Sequence, residues 1–220
     1  RVVEAGAEEV ETLTFPGWDL SGRPRPSPRG PVLFGRRGVA LGRAAEEAGP
    51  VVIRRGEAAP TLVRPVSLDP ELDLEGRLET QVVTGSRWTV ALVLPGRGPL
   101  RVSHGAGEDV ELGEPGLHWF LQEPGARVQG DTLELLATRE RRPRVDEAVL
   151  RYRLDLGSGH AEVAEYPLEG EVRVETYAWG PDGSIVLLAS VQGEAAFDGV
   201  PHASPRGAPT SLVRLPPAPR

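Results

Sequence analysis

Four histidines, His104, His118, His160 and His202, are the side chains best suited to metal ligation or proton transfer, and they stand in four separate segments. None has a second histidine four residues away, the spacing that sets two imidazoles on one helix face for a zinc site. They read as turn and edge residues. Ser158 lies in Leu156-Gly-Ser-Gly-His160, which lacks the Gly-x-Ser-x-Gly order, and the segment after it has a strand pattern where a nucleophile elbow needs a helix. The acidic pairs Glu8/Glu9, Glu108/Asp109 and Asp146/Glu147 would serve glycoside chemistry only if folding set two carboxyls about 5–9 Å apart. As neighbours in turns they read as solvated charge. Gly105, Gly107 and Gly113 precede no helix whose N-terminus would hold a phosphate, so they read as hairpin glycines. Without cysteine there is no thiolate nucleophile, disulfide or Cys-ligated zinc. The chain is therefore expected to carry no catalytic residue, no cofactor and no metal.

Charge narrows the partners. The net charge of −7 argues against nucleic acid, whose phosphates need a basic footprint. All 25 basic residues are Arg. One group, Arg23, Arg25 and Arg29, lies in a Pro-rich run; another, Arg139, Arg141, Arg142 and Arg144, lies in an expected loop. Neither is interleaved with aromatic residues as a stacking platform would be. No apolar run approaches the roughly 18 residues that span a bilayer. The absence of Lys, Asn, Cys and Met fits a GC-rich genome and a heat-adapted source. The first residue is Arg, which reads as trimming of a signal peptide or anchor, or as the choice of segment, and suggests an extracytoplasmic protein.

The elements that must position these residues are strands. With 22 Pro and 27 Gly among 220 residues, the chain is interrupted too often for helices of ordinary length. An all-β fold follows, divided into an N-terminal β region over residues 1–67 and blade-like repeats over 68–220, with one continuous domain as the alternative. Val10 to Phe15 alternates like a strand. Pro16 to Pro31 reads as a semi-rigid extended arm, with Trp18 as the large apolar group that pins it to the nearest sheet. Strands are expected at 31–34, 38–41, 51–53 and 61–66, with a helical turn over 43–48 and a turn at 68–72. Further on, Leu78 to Val83, Trp88 to Leu94, Pro99 to Val102, Asp109 to Leu112, Leu117 to Leu121, Asp131 to Ala137 and Ala148 to Leu156 have strand patterns.

The clearest signal is Tyr177-Ala-Trp-Gly-Pro-Asp-Gly-Ser-Ile-Val-Leu-Leu-Ala189. Pro181, Asp182 and Gly183 suit the successive positions of a reversing turn. Ile185 to Leu188 is apolar without alternation, which predicts a strand covered on both faces. A Gly/Pro-rich loop is expected from Gln192 to Pro209, before a last strand at 211–215. Similar apolar strands at Val90, Leu133 and Ile185 recur roughly 40–50 residues apart, the period of a β-propeller blade.

Together with Leu150-Arg-Tyr-Arg-Leu-Asp-Leu-Gly-Ser-Gly159, this stretch resembles the blades of TolB-like β-propellers, in which an aromatic strand, a Pro-Asp-Gly turn and an apolar strand follow one another. The resemblance is best over residues 148–215 and implies a propeller-like arrangement of antiparallel blades. A β-sandwich is the alternative. The function expected is a non-enzymatic binding or scaffolding module of a bacterial cell envelope or periplasm, presenting loops to a protein partner. Trp18, Arg23 and Arg25 of the arm, with Phe197 and His202 of the long loop, are the expected binding residues. A propeller-type hydrolase of sugars or lactones is the rival reading, and converging Asp, Glu and His in one pocket would favour it.

Overall fold

Antiparallel strands carry most of the chain in a computed structural model that describes residues 2–3, 12–39, 44–54, 56–75, 77–95, 98–105, 109–121, 125–203 and 210–217. Its internal contacts divide it into two units, Arg1–Glu111 and Leu112–Arg220. Among the described residues the one helix is a five-residue turn, and no helix is long and apolar enough to cross a membrane.

In the first unit β1 (Val2–Val3) pairs with β2 (Thr12–Leu13). Two four-stranded meanders follow. The first runs β3 (Trp18–Arg25), β4 (Val32–Arg37), β5 (Glu47–Val52) and β6 (Thr61–Leu62); the second runs β7 (Leu78–Thr84), β8 (Thr89–Pro95), β9 (Leu100–Ser103) and β10 (Val110–Leu112). Alternation decides how they pack. Val32 and Phe34 of β4, Ala48 and Val52 of β5, and Val66 share one core with Leu78 and Val82 of β7 and Ala91 and Val93 of β8. The stretches on the two sides of residue 67 thus share one core. The other face of the first meander buries Phe15, Leu33, Val51 and Ile53. Val90 to Val93 has no exposure at all, as its unbroken apolar run predicts.

Three expectations for this unit are corrected. The arm from Pro16 to Pro31 is mainly β3, at the end of its sheet's order, where a proline costs no ladder bond on an open side. Its Gly22-Arg-Pro24 stretch falls where the register with β4 shifts, between Ser21 and Arg25. The helical turn expected over 43–48 gives way to β5 from Glu47, and Pro50 sits within that strand, its carbonyl accepting the Val63 N–H at 2.8 Å. The turn expected at 68–72 is the start of helix α1 (Pro70–Leu74). Its cap, Asp69, accepts the N–H groups of Glu71 and Leu72 at 2.9 and 3.2 Å.

The second unit comprises β11 (His118–Trp119), β12 (Ala126–Gln129), β13 (Thr132–Arg142), β14 (Val145–Asp155), β15 (Ala161–Trp179), β16 (Ile185–Phe197), β17 (Val200–Ala203) and β18 (Thr210–Leu215). The order is β11-β13-β14-β15-β16-β17, with β12 beside β13 and β18 beside β16. β15 is 19 residues long. Its first part pairs with β14 and its second with β16, with register shifts at Glu169/Glu171 and Val174/Thr176. Leu136, Val149, Tyr166, Val172, Ile185 and Leu187 belong to one buried cluster. Tyr177 joins it and donates its hydroxyl to the Phe120 carbonyl at 3.2 Å; burial raises its pKa well above the phenolic range.

The Pro181-Asp-Gly turn forms as expected, with Gly183 N–H on the Gly180 carbonyl at 3.0 Å. The strand after it is covered on one face only. Ile185, Leu187 and Ala189 are buried, whereas Leu188 is 37% exposed, so an apolar residue in an apolar run faces water. The expected loop from Gln192 to Pro209 is also corrected, because β16 continues to Phe197 and turns directly into β17 with Phe197 opposite Val200. Residues 204–209 of that loop lie outside the described residues. Arg139, Arg141 and Arg142, expected in a loop, end β13 instead, and Arg142 pairs with Val145 across a two-residue turn.

Two buried carboxylates mark this unit. Glu134 of β13 accepts Arg127 Nε at 2.7 Å and Arg127 Nη2 at 2.6 Å through Oε2, and its Oε1 accepts Arg151 Nη2. Arg151 Nη1 donates to the Gly183 carbonyl at 3.0 Å, and both guanidiniums lie over the Trp179 ring, at 4.1 Å for Arg127 and 5.2 Å for Arg151. Burial alone would raise Glu134, but the hydrogen bonds from Arg151 and Arg127 outweigh it and hold its carboxyl below the usual range.

Asp146 of β14 is the opposite case. Burial pushes its pKa up, against the hydrogen bonds from the Val174 N–H, at 2.7 Å, and from Thr138. A folded-state pKa raised above the unfolded value contributes stability at low pH that is lost as pH rises through the folded value, so ionised Asp146 weakens the fold at neutral pH. Asp146→Asn keeps an acceptor for Val174 and should raise the melting midpoint at pH 7, by a margin that closes as pH falls toward the ordinary aspartate range. Melts of both proteins across that range check this; a margin that widens on acidification would refute it.

Candidate functional site

A groove of about 380 Å³ opens within the first unit, lined from five places along the chain. The Ser27–Gly30 turn between β3 and β4 forms one border. Ser27 Oγ donates to the Gly30 carbonyl at 2.6 Å and accepts the Arg29 N–H at 3.2 Å. Gly30 has a φ of +118°, and a Cβ there would lie 2.6 Å from the Ile53 carbonyl oxygen, so glycine is required. Thr84 Oγ1 donates to the Pro26 carbonyl at 3.1 Å, tying this border to the end of β7.

The β7–β8 turn supplies Ser86, Arg87, Trp88 and Thr89. It is closed by Gly85 N–H on the Trp88 carbonyl at 2.8 Å. Arg64 follows β6 and donates Nη2 to the Ser103 carbonyl at the end of β9. Its buried Nε has no hydrogen-bond partner among the described residues. Burial lowers the Arg64 pKa, opposed by the nearby Asp109 carboxylate, and the group remains a cation at any ordinary pH. His104, next along from Ser103, meets the Trp88 indole edge-on with centroids 6.0 Å apart and planes at 62°. Val32, Val52 and Val63 complete the apolar part of the lining.

Chemically the groove suits an anion. Its described lining holds the guanidiniums of Arg29, Arg64 and Arg87, the His104 imidazole and hydroxyls from Ser27, Ser86 and Thr89, and no carboxylate. Two other depressions are shallower in chemistry. One beside α1 holds Glu46, Glu47 and Asp73, with Asp73 accepting the Ala45 N–H at 3.2 Å and facing Arg36 at 3.4 Å. The other, in the second unit, holds Glu169, Glu194 and His202. Among the described residues no group of three His, Asp or Glu could hold a metal ion.

Of the five residues expected to bind, Trp18, Arg23 and Arg25 lie in the first unit and Phe197 and His202 in the second. Trp18 is half-buried on β3 and packs with the Phe15 cluster, its ring passing 3.0 Å from where a Cβ of Gly35 would sit. It pins β3 to the sheet. Arg23 is exposed on β3, whereas Arg25 is only 4% exposed and donates Nε to the Val82 carbonyl at 3.3 Å. Phe197 is 3% exposed and belongs to the second unit's core. His202 stacks edge-on against it at 5.5 Å and shares a 2.9 Å hydrogen bond with Ser211 Oγ. Both lie on the β16–β17 hairpin, in the stretch expected as a loop.

The residues weighed for chemistry settle similarly. Ser158 donates its hydroxyl to Asp155 Oδ1 at 2.8 Å, and that oxygen also accepts the Ser158 N–H at 2.7 Å, which makes it a turn serine. His118 and His160 are exposed. Glu8, Glu9, Gly107 and Glu108 lie outside the described residues. Asp109 faces Arg101 at 3.6 Å, and Glu147 accepts Arg139 Nε at 2.7 Å.

Sequence reading missed Arg64, Arg87 and Trp88 as a group with His104. Each was placed in its own turn or strand end, and only the strand register brings residues 64, 87 and 104 together. Compared with known proteins, the chain matches no family model and has no significant match among curated proteins or solved structures.

Proposed function

We propose that this chain is a non-enzymatic binding module that offers the Arg64–Arg87–Trp88–His104 groove to a protein partner. The observation carrying this reading is the groove's lining: three guanidiniums, an imidazole and an indole around apolar side chains, with no described carboxylate among them. Such a mixed polar and apolar surface supports a recognition role. The likeness of residues 148–215 to TolB-like blades, together with the two four-stranded meanders of the first unit, supports a blade-type framework. It also supports a place in a bacterial cell envelope.

Two measurements test it. A panel of glycosides, esters and lactones should give no turnover; turnover abolished by His104→Ala would replace this reading with the hydrolase one. A photo-cross-linking residue at Ser86 should trap a protein from the native source, and the adduct should disappear in Arg64→Gln but persist in Arg23→Gln. Deletion of residues 16–31 is unsuitable for this purpose, because it would remove β3 and the Trp18 contact.

A further inference from the structure

We infer that residues 22–30 form a strap that opens and closes one wall of the groove; its use as a gate for the partner rests on the binding-module reading, and its motion does not. The strap is the end of β3 with the turn that follows, and its Ser27, Pro28 and Arg29 line the groove. A glycine at positive φ stands at each end, Gly22 at +84° and Gly30 at +118°. Both ends therefore have backbone freedom that other residues lack.

What holds the strap down is polar. It buries no apolar side chain; its buried residue is Arg25, whose Nε donates to the Val82 carbonyl of β7 at 3.3 Å. Thr84 Oγ1 makes the second link to β7, donating to the Pro26 carbonyl at 3.1 Å. Against β4 the strap has one register pair, Arg25 with Val32, because the pairing is interrupted after Ser21. A segment with so few apolar contacts and backbone bonds opens at lower free energy than the sheet beside it.

The seam between β3 and β7 is of the same kind. The two strands end different sheet orders and run side by side without a ladder. Ser21 Oγ is 3.3 Å from Thr80 Oγ1, and a Cβ on Gly22 would lie 3.1 Å from Gln81 Oε1. Pro26 turns its carbonyl to β7 and has no N–H to place beside it. Arg25, Thr80 and Gln81, three of the four buried polar residues described in the first unit, line this seam. Side-chain links are exchanged for water at small net cost as strands part, whereas a ladder or an apolar seam would resist.

Limited trypsin digestion of the full chain, followed by mass spectrometry, tests the inference. Bonds from Arg to Pro resist trypsin, which leaves Arg29–Gly30 as the cleavable bond of the strap. It lies in a turn closed by the Gly30 N–H on the Ser27 carbonyl at 3.1 Å. This bond should be cut well before Arg101–Val102 in β9. Its rate should hardly rise with urea below the unfolding transition, because strap opening exposes little surface, whereas the Arg101–Val102 cut should rise steeply. Thr84→Val removes one anchor, keeps the side chain's shape and should speed the Arg29–Gly30 cut about fivefold, the effect of one hydrogen bond.

A cut indifferent to Thr84→Val would mean that the turn is cleaved with the strap in place. A cut with the same urea dependence as Arg101–Val102 would mean that the strap moves only when the whole unit unfolds. Either result overturns the inference and leaves the Ser86 cross-link free to succeed. The cross-linked adduct should lose the Arg29–Gly30 cut, and an adduct cut as fast as the free chain would show that the strap does not close on the partner. Failure of the cross-link itself removes the binding reading and leaves the protease results on the free chain standing.

Discussion

Glu134→Ala is expected to destabilise the second unit by about 3–5 kcal/mol, the cost of stranding buried charge. Glu134 is 5% exposed at its side chain and accepts from Arg127 and Arg151 at once. Removing it leaves two guanidiniums side by side over the Trp179 ring with no anion between them. The loss should appear in urea denaturation followed by far-UV circular dichroism. Glu162→Ala is the control: its pairing with Arg153 is long, at 3.8 Å, and its side chain is 64% exposed, so it should cost less than about 1 kcal/mol. Similar losses for the two variants would mean that water reaches the Glu134 site. The pH dependence follows from the same carboxylate. Its folded pKa is depressed, so its contribution is present above the ordinary glutamate value of about 4.3 and disappears as pH falls through the lower folded value. Acid should therefore narrow the difference between wild type and Glu134→Ala.

Leu187→Ala should cost about 2–5 kcal/mol, whereas Leu188→Ala, one residue on, should stay within about 0.5 kcal/mol. Leu187 has no exposure and lies in the Ile185–Ala189 core row; Leu188 points to the other face, opposite Leu212 of β18, which is also exposed. The transfer and cavity terms apply in full to the first and hardly to the second. Equal costs would show that both faces of β16 are covered and would revive the reading drawn from its apolar run.

That run shows where sequence reading reaches its limit. An uninterrupted Ile-Val-Leu-Leu states that neither face requires polarity, and does not state that both are buried. Val90 to Val93 is a similar run and is buried throughout. The difference lies in what packs on each sheet, which is long-range information. β3 was hidden for another reason. Arg23-Pro-Arg-Pro26 at its end obscures alternation, and the strand pairs at the end of the sheet's order with a register shift across Gly22, Arg23 and Pro24. Where local chemistry decides, the sequence was legible. The Pro181-Asp-Gly turn, the alternation of Leu150, Tyr152 and Leu154, and the β7–β8 hairpin all follow from their own residues. One local signal went unused. Asp198-Gly199 between Phe197 and Val200 is a two-residue hairpin signature, and Asp198 takes the positive φ of 51° that such a turn demands. The groove was the least legible feature, since Arg29, Arg64, Arg87 and His104 become neighbours through pairing and packing between segments that no local pattern links.

Because β15 gives its first part to β14 and its second to β16, one continuous backbone joins the β13–β14 side of the sheet to the β16 side. Melting the β14 side frays the same backbone that holds the β16 side, where the pairing has register shifts at Glu169/Glu171 and Val174/Thr176. The second unit therefore opens as one cooperative block, without the partial openings that independent hairpins would permit. Such all-or-none behaviour keeps the buried Leu and Val rows from being displayed one sheet at a time, and so guards against the strand-to-strand aggregation to which a protein this rich in β structure is otherwise prone.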